Sequence, residues 1–383
     1  MEVRIYRPPT EAAPVYLPLG VTYDAESASY NESFYSFGTF ELRLPGGSYG
    51  SEKFAKYLYM LIDRSFWGMI NEVERTIDSG GDKITVSGIC LDGLTSSRCT
   101  VPPSFTYEEV GGTAGYDVAD GSTETCMKHF VESNFFQESS PTRSIPGFVI
   151  APDLQRGIED DRYMTRFDML STVLEELGSA AKVGYSIKPD LEAGSLVFDC
   201  AVGVDRTAGQ SDNPRVVFTI ERRNVASMRH LDSDRNMKNL FYASLSGSEF
   251  ADDVYTAMIT RDPDSDYPSG IHRWEQQLDI GAAHPDPGRE LEELKRLALA
   301  RAESYETANT LTVEVIDAAQ RYGVDYNLGD IVTVENREWG LSMDTQLTAM
   351  AVDGSEGGAK HTATFGNAPV NVINRLKRAI RGG

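Results

Sequence analysis

The sequence predicts a strand-rich α+β protein in which two β domains flank a small inserted α+β domain. Three observations lead there. At 383 residues the chain exceeds the usual size of one hydrophobic core, which sets two or three domains of roughly 100–150 residues. Apolar runs with the alternation and turn punctuation of strands dominate both ends. Helical spacing of apolar residues is clear in the middle and once more near residue 290.

Residues 1–110 read as the first β domain. Phe34, Tyr35, Phe37, Phe40, Leu42 and Leu44 form an aromatic and apolar segment that ends at Pro45-Gly46-Gly47. Met69 to Ile77 runs into Ser79-Gly80-Gly81-Asp82, after which Ile84, Val86 and Ile89 resume, which predicts a hairpin. Ser51 to Leu58 suits a short helix. After the Gly-rich passage 111–121, residues 122–203 read as the α+β domain. Cys126, Met127, Phe130 and Val131 recur at helical spacing behind Ser122 or Thr123 as N-cap. Thr165-Arg166-Phe167-Asp168 fits a capping box ahead of Leu170, Val173, Leu174, Leu177 and Ala181. A loop with Pro141, Pro146, Gly147 and Pro152 separates the two helices, and Leu196 to Val202 closes the domain as a strand.

Residues 204–369 read as the second β domain, with strands at Val216–Glu221, Leu240–Leu245, Thr310–Asp317, Ile331–Glu335, Asp344–Met350 and His361–Phe365. One helix over about 287–306 interrupts them, started by Asp286-Pro287 and carrying Leu291, Leu294, Ala298, Ala302 and Tyr305 on one face. No internal repeat or low-complexity tract is present.

Composition excludes several function classes. The net charge of −22 argues against wrapping nucleic acid, which needs clustered Lys and Arg to displace counterions. Acidity suits a conduit through which DNA passes without sticking, because a negative wall repels phosphate. No apolar run reaches bilayer length, and Met1-Glu2-Val3-Arg4 begins no secretory signal, so no stable membrane insertion is expected. The four cysteines, Cys90, Cys99, Cys126 and Cys200, contain no CxxC pair and are expected to be reduced.

No motif assembles convincing chemistry. Gly46-Gly47-Ser48-Tyr49-Gly50 matches the G-x-S-x-G nucleophile elbow, but no βα-alternating sheet precedes it, and a Gly-rich turn is the simpler reading. Asp262-Pro263-Asp264-Ser265-Asp266 imitates the start of a calcium loop, yet Tyr267 replaces the turn glycine and Arg273 the bidentate acid. His129, His230, His272, His284 and His361 are scattered without zinc-ligand spacing. Glu175-Glu176 and Glu292-Glu293 fall on helices, where a solvent face explains them. The chain is therefore expected not to be an enzyme, with no catalytic, cofactor-binding or metal-ligating residues.

Several phrases occur in a distinctive order. Ile84-Thr85-Val86-Ser87-Gly88 leads to Leu91-Asp92-Gly93-Leu94 and Arg98, and Thr125 to Val131 to Asn134. Ile145-Pro146-Gly147, Gly203-Val204-Asp205-Arg206-Thr207, Tyr322 to Val334 with Leu328-Gly329-Asp330 at its turn, and Thr364-Phe365-Gly366 follow. Together, over residues 1 to about 367, they resemble the siphophage baseplate-hub or tail-tip (tail-associated) proteins. The resemblance implies two β-barrel-like domains per subunit and a ring-shaped homotrimer capping the tail tube at the distal end of the virion tail, assembled in the bacterial host cytoplasm. Its partners would be the distal tail protein ring, the tape-measure protein, and spike or fibre components, and the ring would gate DNA. Family relatives often carry a C-terminal peptidoglycan hydrolase or receptor-binding extension; with the sequence ending at Gly383, that activity is expected of other proteins. The hub of a bacteriocin or injection particle is the neighbouring reading. A glycan-active enzyme or a receptor-binding module is the reading from another class.

Residues 370–383 reverse the charge, since Arg375, Lys377, Arg378 and Arg381 come with no acid. On a helix, Val372, Ile373, Leu376, Ala379 and Ile380 share one face and the bases the other. This makes Ile373, Arg375, Leu376, Arg378, Ile380 and Arg381 candidate partner-docking residues, the alternative being a solvated terminus.

Overall fold

Alternation with a period of two builds the first sheet. In β4 (Thr39–Pro45) Phe40, Leu42 and Leu44 are buried while Arg43 faces solvent, as the pleat requires. The computed structural model describes residues 1–79, 81–103, 115–136, 143–159, 161–246, 254–260, 267–282, 290–302, 305, 307–316, 320–355 and 358–366. These residues divide into two units. One comprises Met1–Arg229 with Thr312–Gly366, the other His230–Leu311.

In the first unit, β1 (Val3–Arg7), β2 (Leu17–Thr22), β3 (Ser27–Ser33), β4, β5 (Tyr59–Ile62), β6 (Phe66–Asp78) and β7 (Gly81–Cys90) pair in the order β3-β4-β7-β6-β5-β1-β2. The expected hairpin is present: Asp78 lies opposite Gly81, and a bulge between Ile70 and Glu72 shifts the register. Ser51 to Leu58 forms only the 3-10 turn Ser51–Lys53.

The middle of the chain supplies β8 (Asp117–Gly121), α1 (Thr123–Phe135), β9 (Phe148–Ile150), β10 (Asp161–Thr165), α2 (Leu170–Ala181), β11 (Val183–Asp190) and β12 (Ser195–Val202). Helix α1 begins as expected, with the Ser122 hydroxyl accepting from Thr125 N at 3.1 Å. The capping box expected at Thr165 does not cap α2. Thr165 is held in β10 by pairing with Asp117, its hydroxyl donates to Asp168 at 2.9 Å, and Phe167 turns the chain at φ 59°. The helix starts only at Leu170. The strand partner claimed the residue that local spacing had assigned to the helix.

Residues 122–203 are not a separate domain. Met127, Phe130, Leu174 and Phe198 share one core with Tyr6, Tyr16, Tyr59, Leu61, Leu91 and Leu94 of the N-terminal strands. Two short helices and a three-stranded sheet bury their apolar faces by borrowing the neighbouring sheet.

The remaining elements are β13 (Val217–Thr219), β14 (Val225–Ser233), β15 (Leu240–Ser246), β16 (Val254–Thr260), β17 (Glu275–Ala282), α3 (Glu290–Ala302), β18 (Ala308–Val315), β19 (Ile331–Asn336), β20 (Leu341–Ser355) and β21 (Gly358–Gly366). The expected single β domain over 204–369 is divided. In the second unit, the β16-β15-β17 sheet packs Phe241, Ala243, Ile259 and Leu278 against Leu294, Ala298 and Ala302 of α3, a core of its own. Asp286-Pro287, expected to start this helix, lies outside the described residues. The C-terminal strands instead join the first unit: β20 pairs antiparallel with β3, with Ala349 opposite Ser33 and Ser355 opposite Ser27. No described helix is long and apolar enough to cross a membrane.

Candidate functional site

Two of the distinctive sequence phrases, more than a hundred residues apart, meet in the first unit. The Asp330 carboxylate accepts from Val204 N at 2.9 Å through Oδ1. Its Oδ2 accepts from Arg206 Nε at 2.7 Å and from Asn327 N at 3.0 Å. Backbone bonds reinforce the seam, from Ile331 N to Val204 O at 3.0 Å and from Arg206 N to Ile331 O at 2.8 Å. Asp330 is only 3% exposed, so its charge is compensated almost wholly by these donors.

The approach is close enough to need glycine on both sides. A Cβ at Gly203 would lie 1.6 Å from Gly329 O, and one at Gly329, where φ is +88°, would lie 2.3 Å from the Phe34 ring. Phe34 O accepts from Tyr185 N at 3.3 Å, while Gln346 donates to Gly329 O at 2.8 Å and accepts from the Tyr35 hydroxyl. Segments near residues 34, 185, 204, 330 and 346 therefore converge on one joint. The Leu-Gly-Asp turn takes the conformation its residues suggest, with Asp330 bonding its own turn through Asn327 N.

Two desolvated carboxylates, Glu32 and Asp92, are close enough to interact electrostatically. Glu32 accepts from the Tyr322 hydroxyl at 3.0 Å, and burial raises its pKa. Asp92 accepts from Ile187 N and lies 3.7 Å from Cys90 Sγ. Burial first, then the Glu32 charge, push the Asp92 carboxyl up to about 7 against the pull of the Ile187 bond.

The other phrases also make joints. Asn134 accepts from Val101 N at 2.9 Å and from Arg143 at 2.8 Å, while Arg98 donates to Arg143 O at 3.0 Å above the Phe135 ring. Gly147 O accepts from Leu196 N at 2.8 Å, which sets β9 beside β12.

Sequence reasoning missed one network. Glu124, fully buried in α1, receives Lys128 at 2.6 Å and Arg156 at 2.8 Å, and Asp199 lies 3.1 Å from Arg156. Burial works to raise the Glu124 pKa, but hydrogen bonds from Arg156 and Lys128 outweigh it and hold the carboxyl down at about 2. The i,i+4 spacing of Glu124 and Lys128 was the available signal; nothing local marked Arg156.

The weighed motifs are dispersed. Ser48 sits in the turn after β4, its hydroxyl buried and without a hydrogen-bond partner among the described residues. His129 pairs with Asp117 at 2.7 Å, which raises its pKa, and His230 bonds Asn309 at 2.9 Å. Glu175 accepts from Ser36 at 2.9 Å and Glu176 from the Tyr163 hydroxyl. Among the described residues no three His, Cys, Asp or Glu are grouped to hold a metal ion. The four cysteines are free thiols. His284, the acidic stretch 262–266 and Ile373, Arg375, Leu376, Arg378, Ile380 and Arg381 lie outside the described residues.

A family model described as Siphovirus ReqiPepy6 Gp37-like protein matches residues 15–367. No curated protein matches the chain. Among solved structures, the 43 kDa tail protein of prophage MuSo2 from Shewanella oneidensis is 15% identical, with TM-score 0.53 over 96% of each chain. The tail protein from Neisseria meningitidis MC58 is 14% identical, with TM-score 0.51 over 95% of each chain. Prophage tail protein gp18 from Listeria monocytogenes EGD-e is 11% identical, with TM-score 0.50 over 100% of each chain. At these identities the likeness is one of fold.

Proposed function

This chain belongs to the siphovirus Gp37-like family of tail-associated proteins, and we propose that it serves there as the hub of the tail tip. Three copies would close into a ring that caps the tail tube, joins the distal tail protein to spike, fibre or tape-measure components, and gates DNA. Each subunit would contribute two barrel-like sheets to that ring. We also propose that the role is architectural and involves no catalysis.

The observation that carries this reading is where the distinctive residues went. Arg206, Asp330, Gly203, Gly329 and Asn134 bind strands, turns and helices from distant parts of the chain into one body. A protein that must hold shape while neighbouring rings load it gains from such cross-links, because each removes a local opening mode. The net charge of −22 is consistent with a bore that repels phosphate, and closed rings are the usual way for identical subunits to bury matched patches.

Light scattering on the purified chain, alone and with the distal tail protein, tests the proposal. Three subunits per particle are expected. A strict monomer under both conditions would overturn the hub reading.

A further inference from the structure

The second unit carries a feature that a purely architectural role does not use. Residues Phe241, Ile259 and Leu278 of its sheet face α3, so alternation sends their neighbours to the other side. On that side lies a shallow cavity of about 360 Å³ lined by Tyr242, Ser244, Thr256, Met258 and Gln277. The register sets these residues in rows. Tyr242 lies opposite both Met258 in β16 and Gln277 in β17, and Ser244 lies opposite Thr256. Tyr242 and Met258 are 42% and 41% exposed, unusual for large apolar groups in the middle of a sheet.

The Tyr242 ring is held in place at its far end. Its hydroxyl donates to Glu275 Oε1 at 3.0 Å and accepts from Arg273 at 2.8 Å, while Arg273 and Glu275 pair at 2.5 Å. A clamped ring loses little freedom on binding, so contact with its face costs less entropy than contact with a swinging side chain.

The chemistry of the lining selects among ligand classes. An aromatic face beside a thioether asks for an apolar surface, whereas Gln277, Ser244 and Thr256 in the lining, with the Arg273–Glu275 pair at the rim on the Tyr242 hydroxyl, ask for several neutral hydrogen-bonding groups close by. An aliphatic segment would leave those polar groups unmatched. A phosphate would meet an arginine already neutralised by Glu275, on a chain of net charge −22. A sugar ring has one apolar face and an edge of hydroxyls, and so meets both demands. The volume lies near the low end of ligand sites, about 300–1,000 Å³, which suits a short glycan segment.

We propose that this groove binds a glycan, with the Tyr242 ring stacked on the apolar face of a pyranose and Gln277, Arg273 and Glu275 hydrogen-bonded to its hydroxyls.

Full-length protein applied to a printed array of bacterial cell-surface oligosaccharides, followed by calorimetry with the strongest saccharide, tests it. At least one saccharide is expected to bind saturably. Tyr242→Ala should weaken it roughly tenfold or more, and Gln277→Ala severalfold, with melting temperature unchanged for the exposed Gln277. Tyr242→Phe, which keeps the ring, should lose less than Tyr242→Ala. Absence of binding across the array, or equal binding by Tyr242→Ala and Gln277→Ala proteins, overturns the proposal. So does a Tyr242→Ala protein that changes oligomeric state while the parent binds no saccharide, because the face then joins copies of the chain.

Discussion

Arg206 and Asp330, 124 positions apart in the chain, form a 2.7 Å ion pair with side chains 15% and 4% exposed. The pair locks the start of β19 to the segment that follows β12. Removing one partner leaves a buried charge unpaired. Asp330→Ala should therefore cost about 3–5 kcal/mol in urea unfolding followed in the first unit, with Asp330→Asn somewhat less severe. A loss below about 1 kcal/mol would show the seam to be held by its backbone bonds alone.

The raised Asp92 carboxyl predicts a contribution to stability that declines with rising pH. Asp92 titrates near 7 in the folded chain against an ordinary value of 3.8, so the folded state binds its proton more tightly. That contribution is fully present below pH about 4 and is lost as pH rises through about 7. Asp92→Asn should flatten the slope, matching the parent at pH 4 and exceeding it at pH 8 in thermal melts. An unchanged pH profile in the Asp92→Asn protein would show that Asp92 does not carry the slope.

Ser48→Ala is expected to leave infectivity unchanged and stability equal or slightly higher, because it removes a buried hydroxyl without a partner among the described residues. Plaque counts and assays on purified cell wall and ester substrates check this. A hydrolysis present in the parent and lost in the Ser48→Ala protein would establish a nucleophile and refute the architectural reading.

Deleting residues 370–383 removes four bases and no acid. The remaining chain should fold and oligomerise normally but hold its adjoining tip component more weakly, and more so at high salt, where screening adds to the loss. Tails that assemble at normal yield with the truncated chain would rule out docking through Ile373, Arg375, Leu376, Arg378, Ile380 and Arg381.

Local chemistry determined much of this protein from the sequence alone. Alternating burial drew β4 and the β6–β7 hairpin, Ser122 marked the start of α1, and the Leu170-Val173-Leu174-Leu177 stripe marked the buried face of α2. The turn at Gly329-Asp330 was legible too, because a positive φ and an Asp that bonds its own turn are properties of neighbouring residues. Tertiary structure decided everything that depends on a distant partner. Thr165 looked like a helix cap until pairing with Asp117 placed it in a strand. Residues 341–366 looked like part of a second domain until β20 found β3, and residues 230–311 separated because their apolar faces close a core without help. The Arg206–Asp330 pair, the raised Asp92 carboxyl and the Tyr242 groove share that origin. Each needs groups from strands or turns that are neighbours only once the chain has folded, and periodicity carries no record of which strand lies beside which.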